Sequence, residues 1–374
     1  MPKSRRVATL HPSTLREAPQ LRYEAGRAQH ESVPVSAHAD LVRHARRNDP
    51  LALLAAQDVS RRPDLVPLRY GRMSRTPFTF LRGAAAVMAS DLAAGPRTDL
   101  WVELCGDAHL GNFRWYKAPD RALVFDLNDF DETLPGPFDW DVKRLAASIT
   151  IAARNSGFRK SGCRAVTRAA LRAYRAAIAQ SSELSPLDLH YYRFDSEAVL
   201  ERIDHYGKKR RQWKRDVLGK ARRKNSLRAF NKLTAVVGGR RVIVPDPPRV
   251  QRVQESVAPD EAEAFFARYR ESLPLDRQVL IDRFSLVDVA KKVVGVGSVG
   301  TRCLIVLLEA GDGTPLFLQF KQAVASVLEP YLGASAFKQA GQRVVEGQRL
   351  IQATSDMFLG WARWRDTGGD NIDF

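Results

Sequence analysis

Two short stretches of the chain carry residues whose types and spacing suit phosphoryl transfer. The first, 106–112 (GDAHLGN), places Asp107 five residues before Asn112, and an acidic run follows at 126–132. A carboxylate can accept the proton of an attacking hydroxyl, while an amide oxygen and a second carboxylate are hard ligands for Mg²⁺ beside phosphates. The spacing therefore predicts a base and a metal ligand in one loop. The alternative is that Asp107 and Asn112 cap turns.

The acidic run contains three candidate metal ligands, Asp126, Asp129 and Asp131. At least one of them is expected to bind the metal. Because side chains alternate along an extended chain, some of the three are expected to face solvent. The pattern alone does not decide which of them bind the metal. His109 is expected to support the loop through its ring nitrogens rather than to act as a base.

A glycine-rich stretch at 293–300 (VVGVGSVG) is the second candidate region. Its glycines allow backbone N–H groups to approach phosphate oxygens closely, and two strands joined by a turn at 311–313 lead on to a lysine. An ordinary tight hairpin with a lysine at a strand edge is the alternative. The residues predicted to bind the nucleotide are Gly295, Gly297, Ser298, Gly300, Lys321 and Glu329. Glu346 is the substitute for Glu329 as ion-pair partner of the lysine.

The elements that must position these residues follow from apolar patterning. Short apolar runs at 100–105 and 122–127 predict strands on either side of the loop, so the loop and the acidic run are expected at neighbouring strand ends. A buried helix is predicted over 78–92. A further helix is predicted from Asp139 or Asp141 to a stop at Gly157, with apolar residues on one face.

Composition limits the class of protein. The chain has 374 residues, enough for two lobes, with 44% apolar and 27% charged residues. Its three cysteines lack any CxxC spacing, so neither a disulfide framework nor a zinc site is expected. No signal-peptide pattern and no run of 18 apolar residues occurs, and we expect a soluble, cytoplasmic protein of undetermined oligomeric state without a membrane span.

The formal net charge of +17 is concentrated in one segment. From 206 to 233 the chain carries twelve Lys or Arg against a single acidic residue, Asp216, with Trp213 and Phe230 interleaved. Residues 208–232 would attract an acidic partner or nucleic acid. The alternative is a solvated helix face in an arginine-rich chain.

The loop at 106–112 resembles the catalytic loop of aminoglycoside and choline phosphotransferases, which have a protein-kinase-like fold. In those enzymes the Asp of this loop is the catalytic base and its Asn binds a metal, which implies these roles for Asp107 and Asn112. The stretch 129–131 (DFD), followed by Asp141, also resembles that class and favours Asp129 as the principal metal-binding carboxylate. Asp141 is expected to orient the loop.

From about 67 to 361 the chain resembles more closely a bacterial group, the domain-of-unknown-function family 2252. The stretches that carry this resemblance are CGDAHLGNF, NDFDETLPGPFDWDVKRLAAS, GVGSVGTRC and GQRLIQATSDMFLGW. The family name implies no substrate.

Together the resemblances imply an α+β, protein-kinase-like fold of two lobes, a mainly helical catalytic lobe and a small β-rich nucleotide lobe. The lobes are expected to be circularly permuted, because Gly295 and Lys321 follow Asp107 instead of preceding it. A further strand and helices are expected beyond Phe374. The expected divisions are a flexible basic N-terminus at 1–35, the catalytic lobe at 36–250, connecting helices at 251–280 and the β-rich lobe at 281–374.

The implied function is ATP- and Mg²⁺-dependent phosphoryl transfer to a hydroxyl of a small molecule or protein. Three alternatives stay open. The same fold can transfer AMP instead of phosphate, or it can serve as a non-catalytic pseudokinase that docks partners through its basic segment. A metal-dependent hydrolase that uses the aspartates alone would leave the glycine-rich stretch and Lys321 unexplained.

Overall fold

The structure is a computed structural model that describes residues 17–39, 47–195, 219, 233–247, 250–252, 259–292, 299–365 and 371–374. It is a mixed α+β protein with small sheets. The chain forms two compact units, each assembled from three stretches. The first unit comprises 1–113, 127–191 and 324–352, and the second comprises 114–126, 192–323 and 353–374. The divisions expected from the sequence run in chain order, whereas these units interleave.

The helices and strands are named here in chain order. The helices are α1 (Pro19–Ser32), α2 (Pro50–Asp58), α3 (Val66–Met73), α4 (Pro77–Arg82), α5 (Ala85–Ala93), α6 (Asp139–Asn155), α7 (Lys160–Ser182), α8 (Pro186–Tyr191), α9 (Pro259–Glu271), α10 (Leu275–Ile281), α11 (Glu329–Leu332) and α12 (Ala340–Ile351). The strands are β1 (Trp101–Leu104), β2 (Phe113–Lys117), β3 (Leu123–Leu127), β4 (Leu134–Pro137), β5 (Thr234–Val237), β6 (Arg240–Ile243), β7 (Val250–Arg252), β8 (Phe284–Lys292), β9 (Cys303–Ala310), β10 (Pro315–Lys321), β11 (Arg363–Arg365) and β12 (Asn371–Asp373). Short 3₁₀ turns lie at Val35–Ala39, Pro63–Leu65 and Leu110–Asn112.

Helix α1 lies inside the segment expected to be a flexible N-terminus. None of its residues is buried. The helix therefore contributes nothing to a core.

The single helix predicted over 78–92 is wrong, because the chain forms α4 and α5 with a break at Gly83 and Ala84. Helix α4 begins at a capping box in which Thr76 accepts from the backbone N–H of Thr79. At the break the backbone of Gly83 passes over the buried side chain of Met73, where a Cβ would collide with the thioether. The apolar pattern continues across this break, so the pattern alone does not reveal it.

Strand β4 was not predicted from the sequence, because it contains Pro135, Gly136 and Pro137, residues that favour turns locally. It pairs antiparallel with β1, with Leu104 opposite Leu134. In a two-stranded sheet the missing proline N–H groups are tolerated, because each strand has one unpaired edge. The pairing places the loop that follows β1 beside the acidic run that precedes β4.

Helix α6 confirms the predicted helix. It begins at Asp139, has Asp139 and Asp141 in its first turn, where a carboxylate is favourable, and ends before Gly157, which has φ 81°. The core of the first unit packs Trp140 of this helix against Leu104 and Leu134.

The second unit is built on a four-stranded antiparallel sheet in the order β10-β9-β8-β7. The predicted hairpin is confirmed: β9 and β10 pair from Cys303 opposite Lys321, and Gly313 at the turn has φ 79°. Helix α9 packs on this sheet through Phe265 and Tyr269.

Candidate functional site

The loop that carries Asp107 and Asn112 connects β1 to β2, and its close approach to the acidic run requires glycine. Gly106 has φ 78°, a conformation that L-residues avoid. A Cβ at this position would collide with the backbone carbonyl of Glu132. The glycine at the start of the loop is thus explained by backbone packing.

One face of α6 holds this loop at three points. Asp141 accepts from the backbone N–H groups of Cys105 (2.7 Å) and Gly106 (3.0 Å). Ser148 Oγ accepts from the N–H of Leu110 (2.9 Å). Arg144, between them on the helix, donates from Nε to Asp107 Oδ1 at 2.8 Å. These α6 contacts fix the loop from its start as far as Leu110.

Burial raises the pKa of Asp141 to about 6, and the two backbone N–H groups and Arg144 oppose this effect. The two donors make the charged form the better acceptor, so the carboxylate acts as a clamp on the loop. This placement agrees with the expected orienting role of Asp141, which stays a prediction.

The two oxygens of Asp107 have different surroundings. Oδ1 is paired with Arg144, whose Nη2 lies 2.6 Å away and also donates to the carbonyl of Leu81 at 2.6 Å. Oδ2 lies 3.8 Å from His109 Nε2 and accepts no hydrogen bond from a described residue. The Arg144 side chain is 3% exposed and that of Asp107 is 18% exposed. The arginine therefore fixes one oxygen and leaves the other as the acceptor.

Burial raises the pKa of Asp107 to about 7, against the opposing effect of Arg144 and with a further upward effect of Asp129 and Glu132. A carboxylate with a pKa near the working pH is suited to general-base chemistry, because it is available unprotonated and can still take a proton.

His109 is buried, and its Nδ1 accepts from the N–H of Gly111 at 3.0 Å. Its ring packs edge-on to Phe78 with centroids 6.3 Å apart. Because Nδ1 is an acceptor here, a neutral ring carries its proton on Nε2. Asp107 Oδ2 lies 3.8 Å from this nitrogen. The residue shapes the loop by these contacts.

Asn112 is buried at the end of the loop. Its Nδ2 donates to the backbone carbonyl of Asp107 at 2.9 Å, which leaves Oδ1 as the acceptor atom of the amide. The backbone carbonyl of Asn112 accepts from the N–H of Asn128 at 3.0 Å. This hydrogen bond ties the end of the loop to the residue directly before Asp129. The carbonyl of Asp129 in turn accepts from Cys105 Sγ at 3.2 Å.

The donor set around this loop fits Mg²⁺ chemically. An amide oxygen of Asn112 and carboxylates of Asp129 and Asp131 are hard ligands of the kind that hold Mg²⁺ together with phosphate oxygens and water. Among the residues that the structure describes, no group of three or more His, Cys, Asp or Glu is arranged to hold a metal by itself. A metal here would need further ligands from outside the protein, such as water or phosphate oxygens.

Asp131, Glu132 and Glu329 surround the buried Arg343 of α12. The guanidinium donates to the carbonyls of Asp131 (2.8 Å), Thr133 (2.6 Å) and Val324 (2.8 Å), and its Nε lies 4.0 Å from Glu329. Burial lowers the pKa of Arg343, while the surrounding carboxylates, Glu132 first, oppose this. This Arg343 cluster binds the acidic run to the third stretch of the first unit.

The carboxylates of Glu132 and Glu329 also accept from backbone N–H groups. Glu132 accepts from the N–H of Val327 at 2.7 Å, and burial raises its pKa against this hydrogen bond. Glu329 accepts from the N–H of Ser326 at 3.0 Å. Glu346, the substitute candidate, pairs with Arg349 at 3.0 Å.

The remaining predicted residues lie in the second unit or outside the described residues. Asp126 accepts from the N–H of Ala353 at 2.9 Å. Gly300 has φ 94°, and Lys321 is the last residue of β10. Outside the described residues lie Gly295, Gly297, Ser298 and the basic segment 208–232, apart from Gly219.

Sequence reasoning missed Arg144, Ser148 and Arg343. Arg144 and Ser148 stand three and seven residues after Asp141. This spacing places Asp141, Arg144 and Ser148 on one helix face, which is a signal that the sequence contains. Arg343 offered no such signal, because the carbonyls it binds, those of Thr133 and Asp131, are 210 and 212 residues away in the chain.

A cavity lies beside Gly106 and Arg144, lined also by Met88 and Trp140. Its volume of about 10 Å³ is room for roughly one water molecule. It is too small for a substrate.

Among the described helices, none has the length and apolarity needed to cross a membrane. Neither the curated proteins nor the solved structures contain a match to this chain. The model of the family DUF2252, described as an uncharacterized protein conserved in bacteria, matches residues 61–372. Since this match covers most of the 374 residues, the chain belongs to that family.

Proposed function

We propose that this protein is an ATP- and Mg²⁺-dependent phosphotransferase with a kinase-like, permuted two-lobe arrangement, acting on a hydroxyl of a small molecule or protein. The observation that carries the proposal is the arrangement of Asp107. Arg144 holds one of its oxygens, the other is left as an acceptor, and Asn112 is fixed on its backbone carbonyl.

In the proposed reaction Asp107 Oδ2 orients the acceptor hydroxyl and takes its proton. The acceptor oxygen forms a bond to the γ-phosphorus while the bond between that phosphorus and the leaving oxygen of ADP breaks. Bound Mg²⁺ would neutralise charge on the phosphates. Asn112, Asp129 and Asp131 are the residues assigned to hold it, with the acidic run kept in place by Arg343. Positioning and charge stabilisation supply most of such catalysis.

The nucleotide-binding part of the proposal rests on the sequence. Gly295, Gly297, Ser298 and Gly300 are assigned to the phosphates, and so is Lys321. Glu329 is assigned as the ion-pair partner of Lys321. Other contacts compete for its carboxylate, which accepts from the N–H of Ser326 and lies 4.0 Å from Arg343 Nε.

The first experiment is a thermal-shift measurement with ATP, ADP and GTP, with and without Mg²⁺. A ligand that binds only the folded state raises the melting temperature as its concentration exceeds its Kd. We expect an Mg²⁺-dependent shift in the wild type that is lost in Asp129→Ala and in Lys321→Ala. The matched controls are Asp276→Ala and Lys117→Ala, which remove the same charges from surface positions and should keep the shift.

Absence of a shift with every nucleotide in the folded wild type would refute the proposal. Where nucleotide binding is found, mass spectrometry of the acceptor gives the group transferred, since phosphate and AMP add different masses. Retention of full transfer activity by Asp129→Ala would contradict the metal assignment.

A further inference from the structure

The exposed flank of α7 carries a row of basic side chains. Lys160, Arg164, Arg168 and Arg172 follow one another at four-residue spacing, Arg175 lies beside them, and all five are exposed. At 3.6 residues per turn they fall within an arc of about 120°, and at 1.5 Å per residue the row is about 22 Å long. We call these five residues the α7 basic row.

Packing on α6 fixes the direction in which this row points. Cys163 of α7 is buried, and Thr167 Oγ1 lies 2.8 Å from Thr150 Oγ1 of α6. These residues define the face of α7 that contacts its neighbour. The basic row lies on the flank of the helix and cannot turn inward without breaking this packing.

No acidic residue balances the row locally. From Val142 to Ser182, a stretch that covers nearly all of α6 and the whole of α7, the chain contains no Asp or Glu. Among the described residues none forms an ion pair with a member of the row. Like charges four residues apart on a helix repel each other, and solvated helix faces usually mix both signs. The row is therefore a concentrated positive surface that an anion would stabilise.

We propose that the α7 basic row binds the phosphate backbone of a nucleic-acid duplex. Four of its five members are arginines, whose planar guanidinium groups bind phosphate in a bidentate manner. A row of charges about 22 Å long fits a polymer with regular charges better than an acidic peptide. The proposal is independent of the phosphotransferase assignment.

Two other partners fit less well. Single strands are held by stacking of bases on aromatic side chains, and the only aromatic residue of α7, Tyr174, is half-buried outside the row. A helix that lies in a membrane interface inserts its apolar face into lipid, whereas the face of α7 that carries Cys163 and Thr167 packs on α6.

The test compares two triple variants of the full chain. Arg164→Gln/Arg168→Gln/Arg172→Gln removes three charges from the row. The control variant, Arg22→Gln/Arg75→Gln/Arg97→Gln, removes three charges from other exposed positions of the same unit. Both change the net charge equally, and glutamine is a good helix former. Circular dichroism melting of both variants checks that folding is kept.

Binding to a short mixed-sequence DNA duplex is measured by fluorescence anisotropy over a series of salt concentrations. Each phosphate contact contributes about 0.9 to the slope of log K against log salt, so loss of three contacts should flatten the slope by about 2.7. We expect this change in the row variant and a much smaller one in the control variant.

Equal loss of affinity and slope in both variants would overturn the proposal, because diffuse net charge would then explain binding. Unchanged duplex binding by the row variant would overturn it too. Tighter row-dependent binding of poly-glutamate or of phosphatidylserine vesicles than of the duplex, at the same salt, would reject nucleic acid as the partner.

Discussion

Replacement of Arg144 by methionine tests the assignment of this arginine as the residue that holds Asp107. The change removes both contacts to Asp107 Oδ1, at 2.8 and 2.6 Å, and the donor to the Leu81 carbonyl. Methionine keeps much of the volume. Removal of one partner from a buried ion pair costs about 3–5 kcal/mol, since the other charge stays buried without compensation.

The cost should depend on pH with a defined sign. The folded-state pKa of Asp107 is raised to about 7, above its ordinary value of 3.8, by burial. Its contribution to stability is thus complete below pH 4 and is lost as pH rises through about 7. Without Arg144 the pKa rises further. At pH 5 the carboxyl is neutral and the cost falls to about 1–3 kcal/mol, from the unsatisfied Leu81 carbonyl. At pH 8 the full cost appears.

Urea unfolding at pH 5 and pH 8, followed by tryptophan fluorescence, measures both values, and Trp140 lies buried in the same unit. Arg154→Met, an exposed change on the same helix, is the control and should alter stability by less than about 0.5 kcal/mol. The double variant Asp107→Asn/Arg144→Met should recover the part of the loss that appears only at pH 8, because neither charge is left and only the Leu81 carbonyl stays without its donor. A cost for Arg144→Met that is below about 1 kcal/mol, or equal at both pH values, would refute the reasoning.

Three further predictions concern the loop, the Arg343 cluster and the reaction. A strained backbone conformation alone costs about 1–3 kcal/mol. Gly106→Ala should destabilise the protein by more than this in urea unfolding, because it combines a positive φ with a collision at Glu132, and an unchanged midpoint would contradict this. Arg343→Leu should cost about 3–5 kcal/mol by the same assay, whereas the surface-paired Arg349→Leu should cost less than about 1 kcal/mol, and equal losses would refute the cluster. If the protein transfers phosphate, activity should rise as pH passes through about 7 and the Asp107 carboxylate forms. Asp107→Asn should lose at least about 100-fold above pH 7, and a flat pH–rate profile of the wild type would contradict a base at this position.

The elements around the site differ in how readable they are. Helix α6 was predictable because its signals are local: acidic residues in the first turn, apolar residues at helical spacing and Gly157 at the end. The hairpin of β9 and β10 was predictable for the same reason. Strand β4 was not, because proline and glycine favour a turn locally and only the partner strand β1 makes Leu134–Pro137 extended.

The sequence by itself determined the types of residue in the loop, the helix behind it and the family to which the chain belongs, since each rests on neighbours within about twenty positions. Tertiary structure alone decided that Arg144 holds one oxygen of Asp107 and that Arg343 holds the acidic run. It also decided that the α7 basic row faces outward. These contacts join segments between 17 and 212 positions apart, and the burial that gives a charge its energetic weight exists only once those segments pack.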